Sequence, residues 1–494
     1  MYSIVWLAVI TVVLCAFYIR KRFAYWADLG VQFVPSRFPL GNIQHTSHLM
    51  VDLYQQLKSS KHRFGGIFQF TDPVALITHP ELVKHVLVRD FRHFHDRCGY
   101  YNAEHDPLSG HMLNREGDRW TLLRRSVSPI FSSGRLKTFC PEMVQMMTRF
   151  CEYLDTKLDT EGDKIELKEM ISRFNTDIAA RFLMGMEGSN LTDPDGGLHA
   201  KIIREAFMLP NVWQQFLMTS HPSLAKKMRL TLYSKSLTEV LQQTVQTAIN
   251  FRKQNSNPCR RNDLIDQLLK VPGAEGKTPL TLAEIAAEVF LFFGAYDAAG
   301  VTIFYCLFEL ALQPDLQDRA RQCVLAALGK HGEMTYEALN DMPYIDQCLN
   351  ETLRKYPLAI NSTRVVTDDY PVPDAPGGIV LPKGLHVIVP VYAIHHDPEY
   401  YPDPERYDPE RFAADACERR TPSTFLPFGM GPKSCVGYRL AKIQLRAMMG
   451  TLLRCYEFSS CSETKDSRSE VHSVIKLDGG LWLKVKRIER KEEA

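Results

Sequence analysis

The chain has 494 residues, 45% of them hydrophobic and 23% charged, which is enough for one large domain with a sizeable core. Its formal net charge is +2, so nothing global points to nucleic acid or to an acidic substrate. Twelve cysteines are scattered without a CxxC pair, which argues against a disulfide-framed secreted module and against a zinc cluster.

Residues 2–19 are almost entirely apolar and carry no charged side chain, a run just long enough to cross a bilayer. Arg20, Lys21 and Arg22 follow at once, and basic residues on that flank favour a cytosolic position for what comes next. A cleaved signal peptide would want positive charge before the run and a small-residue cleavage site after it, and the sequence has neither. We therefore expect a transmembrane signal-anchor over 1–19. A basic stop-transfer and a Pro-containing hinge are expected over 20–41, and a single large domain over 42–494.

Helical periodicity dominates that domain, with strand-like pieces near both ends. Residues 65–70 and 74–78 predict an early hairpin, and residues 474–477 and 481–483 around Asp478-Gly479-Gly480 predict a late one. Asp193-Pro194-Asp195-Gly196-Gly197, Pro272-Gly273 and the stretch 371–378 mark loops.

The longest predicted helix covers about 281–313. Thr281 and Glu284 have the spacing of a capping box, and Pro314 closes the run. Between Val289 and Phe308 the only charged residue is Asp297. An acid at the middle of a membrane span costs roughly 2.5–3.5 kcal/mol. A helix apolar on all sides is also what the centre of a large domain requires, and that is the reading adopted here.

The most informative segment runs from Phe425 to Gly437. Gly429, Gly431 and Gly437 with Pro427 and Pro432 specify a tight turn approaching something flat, and a strong helix pattern begins at Tyr438. Cys435 thus sits just before a helix N-terminus, where backbone N–H groups and the helix dipole stabilise a thiolate. Such a thiolate is a fitting axial ligand for haem iron. A lone cysteine in a glycine-rich turn would more simply be structural. The whole spacing Phe428-x-x-Gly431-x-Lys433-x-Cys435-x-Gly437, however, resembles the haem-binding signature of the cytochrome P450 family, F-x-x-G-x-R-x-C-x-G. Lys433 stands where the family usually has Arg, offering charge without a planar fork.

Other segments carry the same resemblance. Glu351-Thr352-Leu353-Arg354 resembles the E-x-x-R helix, and Pro409-Glu410-Arg411-Phe412 the P-E-R-F segment whose arginine completes an ionic cluster. Trp120 and Arg124 resemble the W-x-x-x-R helix that contacts a haem propionate; Arg364 stands where another propionate ligand is often placed, and Arg97 is a further candidate. The matches cover residues 34–485 in family order, and several segments look like insect microsomal members. The resemblance implies a mainly α fold with small β-sheets, a long central helix over haem b, and a preceding N-terminal transmembrane helix. It implies Cys435 as the iron ligand, with Trp120, Arg124, Arg364, Phe428, Gly431, Lys433 and Gly437 around the cofactor.

The central helix departs from the family. Where A/G-G-x-D/E-T is usual, this chain has Gly294-Ala295-Tyr296-Asp297-Ala298, so the catalytic acid Asp297 is present and the threonine hydroxyl is missing. Thr302, one turn on, lies about 5–6 Å further along the axis.

The expected function is a monooxygenase acting on a lipophilic small molecule, with NADPH-cytochrome P450 reductase as electron donor and cytochrome b5 as a second one. Its place would be the endoplasmic reticulum membrane, with the catalytic domain cytosolic and no role for nucleic acid. Ala298 keeps open an isomerase or dehydratase acting on pre-oxidised substrate, and a non-catalytic haem carrier or sensor is the third reading. Substrate contacts are expected from residues 100–113, 202–213 and 358–362, and from Phe293 and Tyr296.

Overall fold

The capping box at Thr281 is formed. Thr281 Oγ1 accepts the Glu284 N–H at 3.2 Å, and a Glu284 carboxyl oxygen accepts the Thr281 N–H at 3.0 Å. From there the central helix runs over Leu282–Leu312 in a computed structural model of the chain. Pro314 closes the run as read, and also opens the next helix, Pro314–His331, because proline suits a first helical turn. The central helix is long and apolar enough to cross a membrane, but 72% of its most apolar window is buried inside the protein. The buried reading therefore stands.

The structure describes all residues except 1, 37–40, 43–46, 98, 194–196, 199, 201, 203–209, 255–261, 274–278, 466–467, 472–473, 478–479 and 489–494. Parts of the hinge stretch, of the loop at Asp193 and of the segment 202–213 lie outside the described residues, as do Asp478, Gly479, Cys98 and Cys259. The cysteines among the described residues are free thiols.

Helices dominate, and the small sheets lie at the margins. The early hairpin pairs Phe64–Gln69 with Asp72–Ile77 in antiparallel register. That hairpin is extended by His386–Val389, parallel to Asp72–Ile77, and then by Ser362–Val365 at the far edge. Arg364 rides on this last strand.

The late hairpin is a correction. Both predicted strands exist, but Val474–Leu477 pairs with Arg468–Val471. Trp482–Arg487 lies in a different sheet, between Lys164–Glu166 and Tyr456–Ser459. Both edges of that strand are filled by distant partners, so no edge remains for its sequence neighbour.

The expected N-terminal helix is present. It continues unbroken over Tyr2–Asp28, past the three basic residues. Its first part exposes Val5, Trp6, Leu7, Val9, Ile10, Val12, Val13 and Leu14. Its last turns are already packed: Trp26 is fully buried, its indole N–H donates to the Ile67 carbonyl at 3.1 Å, and Arg22 pairs with Asp72. Contact with the domain thus begins within the stretch 20–41, ahead of its prolines.

Candidate functional site

The loop before the helix Tyr438–Cys455 is shaped by its glycines. Gly431 has φ 75°, a left-handed conformation, and a Cβ there would lie 2.0 Å from the Leu87 carbonyl oxygen. Only glycine lets the loop press this closely on its neighbour. The Cys435 N–H donates to the Phe428 carbonyl at 2.8 Å, closing the turn. Gly437 is the helix N-cap, so Cys435 sits two residues before it. Burial pushes the Cys435 thiol up, while the Gly437 N–H and the charges of Arg124 and Arg97 pull it back. The sulfur lines a cleft of about 530 Å³ together with Arg124, Arg125, Phe131, Tyr438 and Arg439.

The cationic residues converge on this loop. Arg97 donates to the Lys433 carbonyl at 2.9 Å, and its own acidity is raised, to a pKa of about 10, by burial and by Arg124 nearby. Lys433 is 3% exposed, and its ammonium stands 4.4 Å from the centroid of the Trp120 ring. Burial, and then the like charges of Arg97 and Arg364, push the Lys433 pKa down to about 7. Nζ of Lys433 has no hydrogen-bond partner among the described residues. Arg364, also buried, donates to Ser362 Oγ at 3.1 Å and to the Thr363 carbonyl at 2.7 Å. Four cations around one spot repel one another unless anionic groups are shared among them.

Behind the loop lies a buried ionic cluster. Glu351 and Arg354, both on the helix Pro343–Lys355, are wholly buried and joined by two hydrogen bonds of 2.7 and 2.9 Å. Arg411 reaches the same carboxylate at 3.5 Å. Arg354 also donates to the carbonyls of His395 and Pro404, at 3.0 and 2.7 Å. His395, which the sequence reading passed over, links this cluster to the cysteine loop. Its Nε2 accepts the Leu426 N–H at 2.8 Å, and its ring stacks on Phe425.

The central helix passes close by. Phe131 stands 3.5 Å from where a Cβ on Gly437 would be, and its ring lies 5.6 Å from that of Phe292. Ala295 is exposed in the middle of this mostly buried helix, with Leu291, Gly294, Asp297 and Ala298 partly exposed. A Cβ on Gly294 would meet nothing within 4 Å, so this part of the helix borders open space. The Thr302 hydroxyl is directed back to the Ala298 carbonyl at 3.5 Å. Tyr296 does not share the open stripe: it is buried, with its ring 6.5 Å from that of Phe182. It is therefore a packing residue, not the substrate contact expected from sequence.

Comparisons with known proteins point to one family. A family model described as "Cytochrome P450" matches residues 32–484. The chain is 34% identical to "Probable cytochrome P450 6a14" of Drosophila melanogaster, over 95% of this chain and 96% of that protein. It is 34% identical to "Cytochrome P450 6A1" of Musca domestica, over 91% of each.

Proposed function

The chain belongs to the cytochrome P450 family and is a haem-thiolate monooxygenase; we propose that its electrons come from NADPH through a flavoprotein reductase and that its substrate is a lipophilic small molecule. The observation that carries the site assignment is the meeting of Cys435 with Arg97, Arg124, Arg364 and Lys433.

The family binds haem through a cysteine thiolate to iron, and the residues present suit that group. Cys435 offers the sulfur, and the cation cluster, with its unpartnered Lys433 ammonium, suits two propionates. Trp120, Arg124, Arg364 and Lys433 would hold those propionates, while Phe428, Gly431 and Gly437 fix the loop that presents the sulfur. When bound, haem supplies the iron chemistry that places one atom of dioxygen on a C–H bond.

The chain's own residues do the rest. Cys435 Sγ is the electron-donating ligand. The Asp297 carboxyl, half-buried on the central helix, is the acid available to move protons through water toward the open stripe. The apolar wall formed by Leu291, Ala295 and Ala298 favours a lipophilic substrate and excludes bulk water. Arg125 and Arg439, at the cleft on the sulfur side, suit the acidic surface of a reductase, with cytochrome b5 as a second donor.

The exposed apolar face of the helix Tyr2–Asp28 supports an anchor in the endoplasmic reticulum membrane, with Arg20 and Lys21 on the cytosolic side and the large domain following them.

The test is turnover of a lipophilic panel by the full chain with reductase and NADPH, set beside turnover of hydroperoxides without either. Product in the first arm supports the proposal. The absent hydroxyl at Ala298 favours a second reading, an isomerase or dehydratase of pre-oxidised substrate. Product confined to the hydroperoxide arm would establish it instead, and no product in either arm would point to a haem carrier.

A further inference from the structure

The segment between Arg97 and Trp120 is held at both ends beside the cation cluster. Arg97 donates to Lys433, and the helix Gly117–Val127 carries Trp120 and Arg124. Its middle crosses the central helix. There Glu288, only 2% exposed, accepts the Met112 N–H on one carboxyl oxygen at 2.8 Å. The other oxygen, Oε2, is buried without a hydrogen-bond partner among the described residues. Glu288 lies seven residues, about two turns or 10–11 Å, before Ala295 on the same face of the helix. On its outer side the segment is tied down by Tyr100, which donates to the Leu230 carbonyl at 2.9 Å, and by Asp106, which accepts the Leu232 N–H at 2.7 Å.

We propose that Glu288 is a positioning residue for substrate binding, fastening the strap of residues 100–115 to the central helix so that the strap closes the cavity over a bulky lipophilic ligand. The proposal rests on the monooxygenase reading above and adds to it the group that sets the cavity's closure. One side-chain hydrogen bond does the fastening, added to the packing of Pro107–Gly110 on the central helix and of His111 near Phe290. The inward side of the strap has no other side-chain hydrogen bond to the central helix among those the structure gives.

The state of the fastener follows from its surroundings. Glu284 faces it from its own helix, Arg115 from the strap, and Arg119 from the helix Gly117–Val127, where it is ion-paired with Glu284 at 3.0 Å; His111, on the strap, lies near Phe290 of the central helix. Asp106, on the strap, and Tyr233, whose ring lies 4.7 Å from that of Phe290, stand further out. His111 is itself held neutral by burial, with its pKa near 4. Burial pushes the Glu288 carboxyl up to about 8, against the Met112 N–H and the arginines. The folded pKa is raised, so support for the folded strap is complete below the ordinary carboxyl range, declines steadily as pH rises above it, and is gone once pH has passed about 8.

The test uses the full-length holoprotein, wild type, Glu288→Gln and Glu288→Ala, and titrates haem absorbance with two probes. Clotrimazole is bulky and needs the closed strap; imidazole needs only the iron. Loss of the Met112 acceptor in Glu288→Ala is expected to weaken clotrimazole about tenfold, equivalent to 1.4 kcal/mol, and to leave imidazole unchanged. Glu288→Gln keeps an acceptor and cannot ionise. It should match the clotrimazole affinity of wild type most closely at the acid end of the titration, and it should keep that affinity as pH is raised toward about 8, the range over which wild type loses it. Equal clotrimazole affinity in wild type and Glu288→Ala would overturn the proposal. So would parallel pH profiles in wild type and Glu288→Gln, which decide the matter even if Glu288→Ala does not fold. Failure of wild type to bind imidazole, by contrast, would undo the haem-thiolate site itself.

Discussion

Leu426, at the head of the cysteine loop, gives its backbone N–H to Nε2 of His395 at 2.8 Å. Because Nε2 accepts, the ring proton sits on Nδ1. Burial, with His396 and Arg354 nearby, keeps this imidazole neutral. His395→Ala leaves the buried Leu426 N–H unmet, at a cost of about 1–3 kcal/mol. A larger fraction of the ferrous carbon monoxide complex should then show the spectrum of lost thiolate ligation, increasingly so on warming. His395→Gln, which can offer an oxygen to Leu426, should recover most of the thiolate form. A merely space-filling role would give no such rescue.

The Glu351, Arg354 and Arg411 cluster should behave as a stability element. Arg354→Ala strands a carboxylate that is 0% exposed, a loss of about 3–5 kcal/mol. The urea midpoint of the holoprotein should fall accordingly. Arg411→Lys, at the longer and less buried contact, should move it by much less. Equal shifts would contradict the asymmetry of the cluster.

Lys433 can be tested without turnover. Lys433→Arg supplies the planar fork that the ammonium lacks, and stacks on Trp120 as well. Haem transfer to excess apomyoglobin should slow in Lys433→Arg and quicken in Lys433→Ala, by about tenfold for the latter, or 1.4 kcal/mol. A rate indifferent to both changes would detach Lys433 from cofactor retention.

Ala298→Thr restores a hydroxyl beside Asp297 on the stripe that borders open space. If proton delivery limits the reaction, product formed per NADPH should rise, by as much as about tenfold, or 1.4 kcal/mol of barrier. Hydrogen peroxide released per NADPH should fall in step. Unchanged coupling would mean that Thr302, water or the substrate already meets the need.

How much of this could be read in advance depended on distance along the chain. The capping box at Thr281 and Glu284 and the Glu351–Arg354 pair are three residues apart, so local helix geometry already places them. Cys435 and its glycines were legible for the same reason. Arg411, though far in sequence, was reached only through the P-E-R-F resemblance. The pairing of Trp482–Arg487 was misread because strand partners are chosen by available edges, which depend on the whole fold. Tyr296 was misplaced because an all-apolar helix gives no clue to which flank meets open space. Glu288 had one signal, an acid directly before the apolar run, but its function appears only when Met112 arrives from another segment. His395 had none beyond being the first of two adjacent histidines, at the end of the short helix Val391–His395.

The union of Trp26 with Ile67 gives the first helix a mechanical property. That helix has 27 residues, about 40 Å at 1.5 Å per residue, whereas the hydrocarbon layer takes up about 30 Å. The surplus is the portion clamped by Arg22 and Trp26, and no joint interrupts the shaft between. Were the exposed part of this helix to sit in a bilayer, as proposed above, the protein could not swivel freely above it. Whatever angle a membrane's thickness then imposed on the shaft, the whole catalytic body would lean by the same amount.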